Sequence, residues 1–214
     1  AENMWRFSSD TLSHFMDGNH LIHEVITADN RFFPQTLGDH INPGHSIEDA
    51  WFMLDSAEIN GRSESFADIF QMVLSALDAG WDEQYGGILH FASVRGGKPD
   101  GDNSGFETEP MSVQLSGWGD KLWWPHSEAL YTTLRCYAQS GDARFLDWHE
   151  KVFNYAYSTF PNTDPNIREW VQIRERSGDA CEKVVALPVK DPYHVMRNLI
   201  LIIELLYKIA AGEQ

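Results

Sequence analysis

Three features of this chain predict an all-α fold. Apolar residues recur at helical spacing in six stretches, and nothing of comparable length alternates with the two-residue period of a strand. Two short turns, Asn60-Gly61-Arg62 and Ser140-Gly141-Asp142, join four of those stretches into helical hairpins. Successive hairpins bury their apolar stripes by packing helix on helix.

The first helix is expected over about residues 8–17, with Leu12, Phe15 and Met16 on one side. A second runs from about Ser46 to Glu58, carrying Ile47, Trp51 and Leu54 at spacings of four and three. The third starts near Ser65, and Phe66, Ile69, Phe70, Val73, Leu74 and Leu77 form its stripe. The pattern repeats from about His126 to Gln139 and from about Ala143 to Thr159. A last helix starts near Tyr193 and carries Val195, Leu199, Ile202, Ile203, Leu206 and Ile209. Two longer segments separate the hairpins. In Gly80–Lys121, Ile88, His90 and their neighbours suggest a short strand and Gly96-Gly97-Lys98-Pro99 a turn, hence a short β-hairpin within a long loop. The other is Phe160–Asp191; long loops in compact domains are often functional. No Pro/Ser-rich linker interrupts the chain, so residues 1–214 read as a single domain.

Composition narrows the function. With 43% hydrophobic and 22% charged residues the 214-residue chain has globular rather than disordered character. Thirty-two acidic against 16 basic residues give a net charge of −16, which repels nucleic-acid phosphates and anionic membranes, so neither is an expected partner. No apolar run approaches the length of a membrane span, and AENMWRFSSD lacks the regions of a secretory signal. Cys136 and Cys181 are too few and too far apart for a disulfide framework or a zinc site. A soluble, cytoplasmic protein is the expectation.

Chemistry concentrates in three blocks. His45 in GHSIEDAW, His126 in KLWWPHSEAL and His194 in DPYHVMRNL each stand at the start of a helix, beside carboxylates, tryptophans or arginine. An unperturbed imidazole titrates near neutrality and can both take and give a proton. The repeated placement predicts a proton-transfer pocket. Glu48 lies three residues after His45 on the same helical face. It either orients that imidazole or is a first-turn carboxylate favoured by the helix dipole.

The ordered blocks NPGHSIEDAWFML, GWDEQYGGILHF, KLWWPHSEAL and KDPYHVMRNL resemble the N-acylglucosamine 2-epimerase family, which also includes cellobiose 2-epimerases and mannose-type isomerases. The resemblance covers the chain from about His20 to its end. It implies an (α/α)6 toroid with sugar bound in the central cavity, of which this chain supplies the C-terminal half. Half a ring exposes apolar helix faces, so either the sequence is a fragment or self-association or a missing N-terminal half completes it.

The resemblance places His45 and His194 at the positions of the family's acid/base pair, exchanging the C2 proton of an open-chain sugar through an enediolate. His126 stands where N-acylglucosamine epimerases tend to have His; it contacts the sugar or aids ring opening, or is an inward structural residue. Trp123 and Trp124 offer an aromatic wall, one of them packing in the core, with Lys121 and Glu128 as partners for sugar hydroxyls. Arg197 either neutralises the enediolate or forms a salt bridge. Glu169 and Trp170 match an EW pair bordering the cavity. Met196 departs from the family's H-x-P-R block, and VQIRERSGDACEKVV lacks its aromatic-glycine character. No metal and no cofactor is expected for proton transfer between histidines. The glycine pairs at 86–87 and 96–97 read as turns rather than a phosphate cradle. The rival readings are a one-base aldose–ketose isomerase and a non-catalytic remnant.

Overall fold

The computed structural model describes residues 2–181, 183 and 192–212. The end of the second long loop, with Lys190 and Asp191 of the last block, lies outside the described residues. The helices are α1 (Glu2–Asp10), α2 (Thr36–Asp39), α3 (Pro43–Asn60), α4 (Phe66–Gly80), α5 (Pro110–Gln114), α6 (Trp123–Ser140), α7 (Arg144–Thr159) and α8 (Tyr193–Ala211). Among the described residues there are also four two-residue strands, β1 (His40–Ile41), β2 (Ala92–Ser93), β3 (Lys121–Leu122) and β4 (Ile173–Arg174).

Both hairpin turns end on glycine in the left-handed region, Gly61 at φ 65° and Gly141 at φ 71°, where a side chain would be strained. Helices α3 and α6 each begin three residues earlier than apolar spacing implies. Pro43 is the first residue of α3 and Pro125 falls in the first turn of α6, where a missing N–H leaves no hydrogen bond unmade. Asn42 caps α3 by accepting from the His45 backbone N–H at 3.2 Å. The first helix also differs from expectation. Ser8 is not its start but an interior residue whose hydroxyl bonds back to the Met4 carbonyl at 3.2 Å. Leu12, Phe15 and Met16 fall in or beside a π-helical turn, Thr11–Phe15, and still pack on the core.

Helix α6 is the centre of the packing, with α3, α7 and α8 against it and α4 on α3. Ile47 and Leu54 of α3, Met72 and Leu77 of α4, Leu130 of α6 and Phe145 of α7 meet in one core, where each buried aliphatic side chain contributes about 2 kcal/mol. Helix α8 is different. Asn198 is its one fully buried residue, and Ile200, Ile203 and Tyr207 leave an apolar face bare.

The first long loop folds back on the helices. Ile88 forms an antiparallel bridge to Trp81, the remnant of the expected hairpin, while the paired strand falls at Ala92–Ser93. Its partner is β1, in the register His40↔Ser93 and Ile41↔Ala92. The second loop is tied to the start of α6 by β3 and β4, Leu122 opposite Ile173. Each strand pair thus holds a loop at the end of α3 or α6 where the histidines stand.

Candidate active site

His45 and His194 line the same hollow, a cavity of about 300 Å³ whose wall also includes Asn42, Glu48, His90 and Trp124. Trp124, at the start of α6, neighbours both: its indole centroid is 5.4 Å from the His45 ring and 5.4 Å from the His194 ring. Gly44 makes room for it. A Cβ there would lie 2.7 Å from the far edge of the indole.

Each imidazole is pinned through Nδ1 by a carboxylate. His194 Nδ1 lies 2.6 Å from Glu128 Oε1 and 3.6 Å from Glu48 Oε1. Glu128 is fully buried and is also bonded by the Trp51 indole N–H at 3.0 Å and by the Arg197 guanidinium. A buried carboxylate with three donors is compensated, and its grip fixes the orientation of the His194 ring. Arg197 is in turn held between aromatic rings, 3.9 Å from the Tyr193 centroid and 4.8 Å from Trp51. It therefore forms the salt bridge rather than standing free as a cation for the enediolate.

The carboxylate that holds His45 is Glu24, at 3.0 Å from Nδ1, from the loop before α2. Burial works against a charge on His45, but the bond and charge of Glu24, helped by Asp49 and Glu48, raise its pKa above the usual imidazole value. Half the His45 side chain is open, and its Nε2 has no hydrogen-bond partner among the described residues. Glu48, read either as orienting His45 or as a first-turn carboxylate, lies against His194 and Arg197, and Glu24 holds His45. Burial and the neighbouring Glu128 raise the Glu48 pKa. Glu48, Glu128 and His194 bring three ligand-type atoms within 4.8 Å of one another. The Arg197 guanidinium already sits against both carboxylates, so a metal ion would meet a cation in that place.

Other expected site residues do not reach the hollow. His126 is fully buried, its Nδ1 donating to the Leu122 carbonyl at 2.7 Å and its Nε2 accepting from the Ile88 N–H at 2.9 Å. Burial holds its pKa down to about 3, so it is a neutral strut between α6 and the first long loop. Lys121 is also buried, donating to the Arg176 carbonyl at 2.6 Å and lying 3.2 Å from Asp82. Burial would raise the Asp82 pKa, but hydrogen bonds from Arg176 and Lys121 overcome it and hold the carboxyl at about 2. Of the adjacent tryptophans, Trp123 enters the core and only Trp124 faces the hollow. Trp170 stacks on Phe160 at 5.7 Å, away from it.

Sequence reasoning missed Glu24 and His90. Glu24 sits in a segment without helical period, and its link to His45 spans 21 residues, so no local spacing could reveal it. His90 was read as part of a strand; its block, GGILHF, carried the signal.

Fold and site together define a helical half-ring with two carboxylate-held imidazoles near one indole. The N-acylglucosamine 2-epimerase (GlcNAc 2-epimerase) family model matches residues 2–198, and the chain belongs to that family. It is 32% identical over 189 residues to the N-acylglucosamine 2-epimerase of Mus musculus, covering 88% of this chain and 41% of that protein. The Homo sapiens enzyme is 32% identical over 196 residues, covering 91% and 42%. Among solved structures, the cellobiose 2-epimerase of Bacillus thermoamylovorans superposes with TM-score 0.72 at 16% identity, over 95% of this chain and 46% of that one. A D-mannose isomerase superposes with TM-score 0.59 at 16% identity, over 77% and 37%. The fold is therefore about half of an (α/α)6 barrel, and the chain spans about two-fifths of the length of the relatives it matches. Among the described residues no helix is long and apolar enough to cross a membrane.

Proposed function

We propose that this chain carries the proton-transfer machinery of a sugar 2-epimerase, with His45 and His194 acting on C2 of an open-chain sugar. One imidazole takes the C2 proton, and the electron pair moves to the carbonyl oxygen as an enediolate. The other, protonated, delivers a proton to the opposite face as the carbonyl reforms. The observation that carries this reading is the shared hollow, with both rings near the Trp124 indole and each Nδ1 fixed by a carboxylate. Such pinning leaves Nε2 as the working nitrogen on both rings. Trp124 offers the apolar face of a sugar a flat surface.

The test is proton NMR in deuterated water with N-acetylglucosamine, N-acetylmannosamine, mannose and cellobiose, watching for new anomeric signals and for deuterium at C2. The expected result is one epimer pair interconverting, and its loss in both His45→Ala and His194→Ala. A ketose formed while one of those variants stays fully active would mark a one-base isomerase. Absence of any C2 exchange would leave the non-catalytic reading.

The bare α8 face belongs to the same reading: we infer that the other half of a ring covers it. Both cysteines are free, Cys136 buried and Cys181 half-buried, which suits the cytoplasm.

A further inference from the structure

A third imidazole stands in the wall of the hollow, and nothing above gives it a task. His90 is 6% exposed and lines both the His45–His194 hollow and an adjoining one of about 350 Å³ reaching Asp120 and Lys183. Gln114 is the other residue shared by the two walls. The ring is braced on Phe91, centroids 3.8 Å apart and stacked, and its own backbone N–H is tied to the Asp120 carbonyl at 2.8 Å. It is therefore a fixed feature of the cavity.

Its hydrogen bonding is incomplete. Nδ1 is sealed from water without a partner of good geometry, and Nε2 makes no hydrogen bond among the described residues. Burial, reinforced by the nearby His45, pushes the pKa down to about 4, so the ring is neutral and holds one proton. The Gly117 backbone is its polar neighbour. A carbonyl can only accept, so the nitrogen facing it keeps the proton and the other presents a bare lone pair. That lone pair is open to a donor that enters the hollow.

We propose that His90 is a substrate-binding residue, its lone-pair nitrogen accepting a hydrogen bond from a hydroxyl of the sugar chain beyond the reacting carbon. The position supports that ligand. His90 sits at the junction of the two hollows, so a polyol chain whose C2 lies between His45 and His194 extends past it. A hydroxyl is a donor that this lone pair accepts without burying a further charge. The inference rests on the sugar reading of the hollow and adds a residue that reading does not need.

The experiment is a titration of the full chain, labelled with ¹⁵N-histidine, with mannitol, an open-chain polyol that cannot react. The expected result is that mannitol moves one ring nitrogen of His90, in the direction of a lone pair accepting a proton, together with signals of His45 and His194. If mannitol moves His45 and His194 but leaves both nitrogens of His90 in place, the His90 assignment is wrong and the sugar site stands. If no histidine responds, the hollow is not a sugar site and both readings fall. His90→Phe, which keeps the stack on Phe91, is expected to weaken mannitol about three- to tenfold, the loss of one neutral hydrogen bond. His90→Gln, which restores an acceptor, is expected to recover part of it. In turnover the same variants should raise KM with little change in kcat; a fall in kcat alone would overturn the assignment.

Discussion

At the scale of residues, the site depends on which carboxylate reaches which imidazole. Glu24 raises the pKa of His45 against the effect of burial. Glu24→Gln removes that charge and leaves burial opposed only by the charges of Asp49 and Glu48. The His45 pKa, followed by NMR, should fall, and the alkaline limb of the pH profile should move to lower pH with it. The stability sign agrees: a pKa raised on folding contributes stability that is complete below the unfolded value and is lost as pH rises through the folded one. Glu24→Gln should therefore narrow the stability difference between mildly acidic and mildly alkaline solution. Unfolding curves at the two pH values check this. His45, His194 and Trp124 were legible from the sequence because each lies in a dense block at a helix start. Glu24 was not, because a carboxylate in an irregular loop shows its partner only once the chain has folded back.

Elements explain why one of the three histidines faces away from the hollow. His45 and His194 fall in the first turns of α3 and α8, facing the hollow, whereas His126 falls in the first turn of α6 facing the opposite way, toward Tyr155 and Phe160. Helix start alone does not fix direction; a few residues of register turn a side chain to the far face. His126→Phe keeps the ring volume but orphans the Ile88 N–H and the Leu122 carbonyl, at a cost of about 2–4 kcal/mol. A drop in melting temperature with preserved activity of the folded fraction is the expected outcome; lost activity at unchanged stability would return His126 to the site. The helix pairing was readable for the same reason that it is stable. The turns at Gly61 and Gly141 and the apolar stripes of α3, α4, α6 and α7 agree with one another. The strands were largely invisible, because two-residue ladders between segments some fifty residues apart leave no local pattern.

For the whole molecule, the incomplete ring is the dominant fact. Helix α8 packs on α6 through one side and leaves Ile200, Ile203 and Tyr207, the last 75% exposed, along the other. On the proposed reading the other half of the ring covers this face. Taken alone, these 214 residues are expected to pair through it at micromolar concentration, and Ile203→Lys with Tyr207→Lys to give monomers in sedimentation velocity. A monomeric parent chain would end that reading. The ring also rests on a much smaller feature, the bare α-carbon of Gly44 beneath the Trp124 indole. Gly44→Ala, a favourable change for most helices, should here tilt the indole and separate two bases without touching either. Turnover should fall while the melting temperature changes little. On the proposed reading, one hydrogen atom in place of a methyl sets the aperture of the hollow, and a search for altered substrate range would do well to begin at that vacancy rather than at the histidines.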